Sequence, residues 1–202
     1  MRRSDPTRRR WLLAASTSAL AVAAVAGAVV AGPFRGADPT AVHGDLATGE
    51  VVRVADIPAG DGHGARGVFV QTTGSGQLCL WDAPSATSLQ RQGGCNPVAD
   101  PLGGSALSAS LAYDGGPAVE DVSDARLIGL VSGAVARVDV LMSDGTLRTV
   151  RLKKASIGSE RFAAFGYRLR GSDLRRGVGP TAVIARDASG AELARQPTGI
   201  GD

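Results

Sequence analysis

Past residue 50 the sequence predicts an all-β domain of sandwich or barrel-like type, on three observations. Short runs rich in Val, Leu and Ile recur at intervals of about ten residues, each bounded by Gly, Pro or Asp clusters, which is the rhythm of strands joined by tight turns. The chain holds 28 Gly and 10 Pro among 202 residues yet is 44% hydrophobic, which is too apolar for a disordered chain and leaves one domain as the prior. Around Ser143-Asp144-Gly145 the alternation of apolar and polar residues fits a hairpin in one register only.

The strands follow in order. Val51 to Ala55, Gly67 to Thr72 and Gln77 to Asp82 come first, then Leu107 to Tyr113, Arg126 to Val131, Ala136 to Met142, Thr146 to Lys153, Arg161 to Leu169, Thr181 to Arg186 and Ala191 to Gln196. At the Asp144-Gly145 hairpin a two-residue turn would place Val140 opposite Thr149, mixing apolar and polar side chains on one face. A three-residue loop with Gly145 left-handed instead pairs Val138 with Val150 and Ala136 with Leu152, and leaves Arg137, Asp139, Arg151 and Lys153 on the other face. The pattern selects the second. A further hairpin across Asp187 to Gly190 is expected to pair Ile184 with Leu193. No solenoid-type repeat is present.

Ahead of the domain stands a different kind of segment. Trp11 to Gly32 is 22 residues without a charge, nine of them Ala, preceded by five Arg and followed closely only by Arg35. A helix of about 20 residues crosses a ~30 Å hydrocarbon core, and the positive charge keeps the preceding tail in the cytoplasm. The expected organisation is a basic cytoplasmic tail at 1–10, a transmembrane helix or signal segment at 11–32, a linker at 33–49 and an extracytoplasmic β-domain at 50–202. The expected location is the cell membrane, single-pass, with the C-terminal domain outside; the alternative is secretion after cleavage near Ala28 or Ala31, where small residues precede the cut. Thr7-Arg8-Arg9-Arg10-Trp11-Leu12-Leu13 resembles a twin-arginine export signal, with Trp where Phe is usual.

Export gives Cys79 and Cys95 their meaning. Outside the cytoplasm two thiols 16 positions apart read as a disulfide closing a loop rich in Pro, Ser, Gln and Gly, whereas a redox-active pair prefers Cys-x-x-Cys at a helix start. The formal net charge of +3 misleads in the same connection. Residues 1–36 carry six Arg and one Asp, so the basic balance belongs to the leader and gives no ground for nucleic-acid binding. Within the rest, residues 37–147 hold five basic and 13 acidic groups, while residues 148–176 hold nine basic and two acidic. If the basic groups share a face, Arg168, Arg170, Arg175 and Arg176 are the expected contacts to anionic lipid headgroups or wall polymers. The alternative is that they solubilise outer strand faces and guard an edge.

Gln77-Leu78-Cys79-Leu80-Trp81, Gly93-Gly94-Cys95, Leu127-Ile128-Gly129-Leu130-Val131 and Ala134-Val135-Ala136-Arg137-Val138 before the Asp-Gly hairpin resemble uncharacterised exported or single-pass membrane proteins of high-GC Gram-positive, actinobacterial type with a C-terminal β-domain. In that group a Gly-Leu-Val-Pro-Asp-Gly-Val segment precedes the hairpin, and Ser132-Gly133-Ala134 stands here in place of its Pro-Asp-Gly. The resemblance covers about residues 66 to 195 and implies location and fold, and no activity.

Motifs with chemistry read as structural. Gly62-His63-Gly64-Ala65-Arg66-Gly67 spells G-x-G-x-x-G, but a strand follows it where a dinucleotide site needs a helix N-terminus. His43 and His63 lie in Gly-rich segments with no G-x-S-x-G elbow to serve, and with Asp45 or Asp61 they make a poor zinc site. Glu120, Asp121 and Asp124 match no EF-hand spacing. The expectation is therefore no catalytic residue, cofactor or metal. The expected function is a non-enzymatic, envelope-associated binding or structural module; the alternatives are a secreted inhibitor presenting the 79–95 loop, with Leu89 and Arg91 as its contacts, or a hydrolase with an unrecognised site.

Overall fold

The computed structural model describes residues 49–98, 100–157 and 160–200. The basic tail, the apolar segment at 11–32 with its cleavage positions, nearly all of the linker, and His43 and Asp45 lie outside them. No helix of the described residues is long and apolar enough to cross a membrane.

The described chain is all-β, built from twelve strands: β1 (Val52–Ile57), β2 (Arg66–Thr72), β3 (Gln77–Ala83), β4 (Gln92–Pro97), β5 (Leu107–Gly115), β6 (Val122–Ser132), β7 (Arg137–Met142), β8 (Leu147–Val150), β9 (Lys153–Ile157), β10 (Glu160–Arg168), β11 (Pro180–Arg186) and β12 (Glu192–Pro197), with one short helix, α1 (Gly171–Leu174). They make three antiparallel sheets ordered β1-β2-β3-β4, β5-β6-β10-β9 and β12-β11-β7-β8. The architecture is sandwich-like, but with three layers and two main apolar cores.

The middle sheet supplies both cores because strand side chains alternate in direction. Ile128, Leu130, Phe162 and Ala164 meet Val54, Ile57, Val68, Val70, Leu78 and Leu80 of the first sheet. Their neighbours Leu127, Val131, Ala163 and Phe165 meet Val138, Val140, Val150, Val183 and Ala185 of the third. Burial on both faces explains why Leu127 to Val131 is an unbroken apolar run rather than an alternating one. At Gly166 a Cβ would stand 2.6 Å from Ile57 Cγ1 and 2.9 Å from Val68 Cγ2, so glycine lets the first two sheets approach. A smaller cluster on the outer face of the first sheet joins Phe69, Cys79, Trp81 and Ala83.

The hairpin at Gly145 has the register its pattern selects: Val138 pairs with Val150, and Gly145 has φ 80°. The ladder stops there, because the Ala136 amide donates to Arg186 O, 2.8 Å, instead of pairing with Leu152. The expected strand from Thr146 to Lys153 is two strands, with β8 in the third sheet and β9 in the second. At the other hairpin the expected Ile184–Leu193 pair does not form. Ile184 faces Arg195, a register irregularity follows Ala185, and Leu193 is left 42% exposed. β4 was not expected from the sequence, since Gly93-Gly94 has little strand propensity; here a Cβ at Gly93 would overlap the backbone of Leu80 and Trp81.

Cys79 and Cys95 sit directly opposite each other on β3 and β4 and form the disulfide. Replacing both by Ala is expected to lower stability by about 3 kcal/mol through the added freedom of the unfolded loop, read as a shift of the urea midpoint at unchanged slope. Gly166→Val is expected to cost about 1–3 kcal/mol by overpacking between sheets, measured by the same titration.

Candidate functional site

The densest set of polar side chains lies where the first two sheets meet, and it is built by strand alternation. On β6, Asp124 and Arg126 point the same way as Ile128 and Leu130, toward the first sheet, and in register Arg126 faces Arg168 of β10 while Asp124 faces Asp114 of β5. Asp82 on β3 and Arg66 on β2 come from the opposite side.

Arg126, 2% exposed, holds the group together. Its Nε donates to Asp82 Oδ2, 3.1 Å, and Nη1 donates to Asp114 Oδ2, 3.1 Å, and to Asp124 Oδ2, while Nη2 donates to Gln92 Oε1. Arg66 donates through Nε to Asp82, and through Nη2 to Gln90 O, 2.9 Å. Arg168 places Nε 3.0 Å from Asp124 Oδ1, and its Nη atoms donate to the carbonyls of Pro58, 2.9 Å, His63, 3.2 Å, and Gly64, 3.0 Å. Three carboxylates, Asp114 among them half exposed, thus meet three guanidinium groups, and the charges of the network balance.

Burial sets the proton affinities against the ion pairs. At Asp82, fully buried and with Oδ1 lacking any hydrogen-bond donor, burial pushes the carboxyl up, and Arg126 and Arg66 pull it back only in part. At Asp114 burial also pushes up, but the Arg126 hydrogen bond and charge, helped by Gln92, outweigh it and hold the carboxyl below the usual carboxylate range. At Arg126 burial pulls down and the charges of Asp82 and Asp124 more than restore it, so it stays cationic.

The loop between β1 and β2, where G-x-G-x-x-G is spelled, is a clamped turn. Asp61 and Gly62 have φ 50° and 83°, the left-handed pair of a two-residue Asp-Gly turn, and Gly60 and His63 exchange backbone hydrogen bonds of 3.1 and 2.9 Å. Asp61 Oδ2 accepts from the Gly171 amide, 2.8 Å, and Arg168 grips the carbonyls. The His63 ring has Nε2 3.1 Å from Ser123 O and Nδ1 3.9 Å from Asp124 Oδ2. Its neighbours are therefore a carbonyl and a carboxylate that Arg126 and Arg168 also hold. No group of three metal-ligating side chains occurs among the described residues.

The four arginines singled out as surface contacts separate. Arg168 is buried in the network. Arg176 donates to Asp173 Oδ1, 2.6 Å, a carboxylate shared with Arg148 at 3.4 Å. Arg170 and Arg175 flank α1, exposed, and among the described residues neither has a carboxylate within ion-pair distance. Of the acidic trio, Asp124 is consumed by arginines, while Glu120 and Asp121 form an exposed 3-10 turn.

The network continues into the β3–β4 loop, residues 84–91. Arg91 lies 5.0 Å over the Trp81 ring, which stacks on Phe69 at 6.2 Å. Its Nε donates to Ser88 O, 2.9 Å, and Nη2 to Ala86 O, 3.0 Å. Leu89 stands at the tip, 71% exposed. Sequence reasoning named Leu89 and Arg91 but missed Asp82, Arg66, Arg126 and Asp114; a charged residue inside an apolar run, as at Arg126, was the available signal. No protein-family model, curated protein or solved structure matches this chain.

Arg126→Ala, which takes one of two guanidinium partners from each of the buried Asp82 and Asp124, is expected to destabilise the fold by about 3 kcal/mol, measured in urea. Asp114→Asn tests the sign of the pH dependence. With its folded value lowered, Asp114 contributes stability above the unfolded carboxylate value and loses it as pH falls through the folded one. The wild-type advantage, about 0.5 kcal/mol for this half-exposed group, is expected in neutral urea titrations and absent in strongly acidic ones.

Proposed function

We propose that residues 50–202 form an extracytoplasmic domain tethered by the apolar segment at 11–32, working as a non-enzymatic binding or structural module of the cell envelope. The resemblance to exported actinobacterial proteins with a C-terminal β-domain accords with that reading. Release after cleavage near Ala28 or Ala31 would leave the domain's role in the envelope space unchanged.

The observation that carries the reading is the Cys79–Cys95 disulfide, formed between facing strand positions with Cys79 only 2% exposed. Such bonds persist in oxidising compartments and are rare in the cytosol. The buried charges serve the packing of the domain: Asp82 and Asp124 both bond Arg126 across two sheets. For contact with anionic lipid headgroups or wall polymers, Arg170 and Arg175 are the better placed pair, since Arg168 and Arg176 already face carboxylates.

The test is fractionation of the C-terminally tagged full chain, with mass measurement before and after reduction. The expected result is membrane-associated or exported protein lighter by two hydrogens than its reduced form; intact cytosolic protein with two free thiols would overturn the reading. Neutralising both Arg170 and Arg175 to Gln is expected to weaken co-sedimentation with anionic phospholipid vesicles at low salt by about tenfold or more, at ~1 kcal/mol per basic group. Unaltered binding would remove the basic contact.

A further inference from the structure

We infer that Arg137 of β7 and Arg186 of β11, held on the buried carboxylate of Asp139, form a binding site for a phosphate group on the outer face of the third sheet. The site goes beyond the envelope reading and depends neither on the apolar segment at 11–32 nor on Arg170 and Arg175.

Two observations lead there. The first is an excess of positive charge at one place in the ladder. Arg186 lies directly opposite Arg137, an arrangement that costs stability because like charges face each other. The carboxylate that both reach is Asp139, two positions along β7 and therefore on the same face, so two cations share one anion. Glu192, in register with Arg186 on the other side, is taken by Nε and Nη2 of Arg195 at 2.9 and 2.8 Å. Asp187 turns its carboxylate back onto its own hairpin, where it accepts from Ser189 and from the Ala191 amide. Val150 pairs with Val138, so Arg151 follows β8 at this same end of the sheet, exposed and without an ion pair among the described residues.

The second is orientation. Arg137 Nε and Nη2 lie 2.9 and 2.8 Å from Asp139 Oδ2, and Arg186 Nε donates to the same oxygen, 3.3 Å, while Thr149 Oγ1 donates to Oδ1, 2.7 Å. Asp139 is 1% exposed although it stands on the outer face of an outer sheet, and Arg137 above it is half exposed. A carboxylate so enclosed fixes both guanidinium planes through their Nε edges. Arg186 Nη1 donates to Gly190 O, 3.1 Å, and no acceptor among the described residues takes Arg137 Nη1 or Arg186 Nη2. Two forks fixed around one oxygen, with one positive charge in excess, suit a tetrahedral oxyanion, whose oxygens bond both guanidinium groups at once; a planar carboxylate matches a single fork. Arginines already held in place lose little rotamer freedom when the anion arrives.

The experiment titrates the full chain, in non-ionic detergent and low-salt chloride buffer, with inorganic phosphate by calorimetry. One saturable site with a Kd of about a millimolar is expected. Arg137→Lys combined with Arg186→Lys keeps both charges beside Asp139 but removes the forks, and is expected to weaken binding by about tenfold or more, with a cooperative melt showing that the variant folds. Phosphatidylglycerol vesicles identify the source of the group. Co-sedimentation that inorganic phosphate competes away in the wild type, and that the double Lys variant lacks, assigns it to a lipid headgroup; binding of the ion without such competition assigns it to a soluble or polymer-borne phosphate. No saturable binding below ~10 mM phosphate, or equal binding by the wild type and the double Lys variant, overturns the inference. Neither result bears on where the chain resides, which fractionation decides separately.

Discussion

A single guanidinium, that of Arg126, is placed where two sheets must meet without water, and the arrangement around it follows from that constraint. A cation taken into an apolar contact needs acceptors for its donors and compensation for its charge. The first sheet supplies Asp82 and Gln92, and the middle sheet supplies Asp114 and Asp124. The carboxylates gathered for Arg126 then require further cations, which come from β2 as Arg66 and from β10 as Arg168. Apolar packing alone would tolerate small slides of one sheet over the other; this set of directed bonds does not.

The same network explains what became of the charge asymmetry along the chain. Among the described residues two ion pairs join the acidic stretch before residue 148 to the basic stretch after it: Asp124 with Arg168, and Asp56 with Lys153 at 3.5 Å. Arg148 and Arg176, both from the basic stretch, share the nearby Asp173. Four of the nine basic groups of that stretch, Arg148, Lys153, Arg168 and Arg176, thus face carboxylates, while Arg151, Lys154, Arg161, Arg170 and Arg175 stand exposed.

Continuity between network and loop ties the β3–β4 connection to the interior. Arg66 has one end on Asp82, in the interior, and the other on Gln90 O, in the β3–β4 loop. The disulfide and the Phe69–Trp81 stack lie on the outer face of the same strands. A loop of eight residues without a helix or strand of its own is thereby held from within. A second edge is secured comparably: the Gln196 amide bonds both the N–H and the C=O of Ala109, at 2.8 and 2.7 Å, tying the edge of the middle sheet to β12 of the third.

Sequence alone determined the all-β class, nearly every strand, the Cys79–Cys95 partnership and the register at Gly145, because each is written in short-range alternation, turn chemistry or cysteine count. It named Leu89 and Arg91 through the loop that the cysteines enclose. Tertiary structure alone decided that there are three layers, that β8 and β9 part company between Val150 and Lys153, that Gly93-Gly94 is a strand, and that Arg168 faces inward. Those outcomes depend on which residues, far apart in sequence, are brought against one another: Arg168 is buried where Asp124 and three loop carbonyls receive it, and Gly93-Gly94 is a strand because it pairs with Trp81 and Leu80, where Gly93 has no room for a side chain. Local pattern carries no record of such meetings, since the free energy that rewards them exists only once the sheets have stacked.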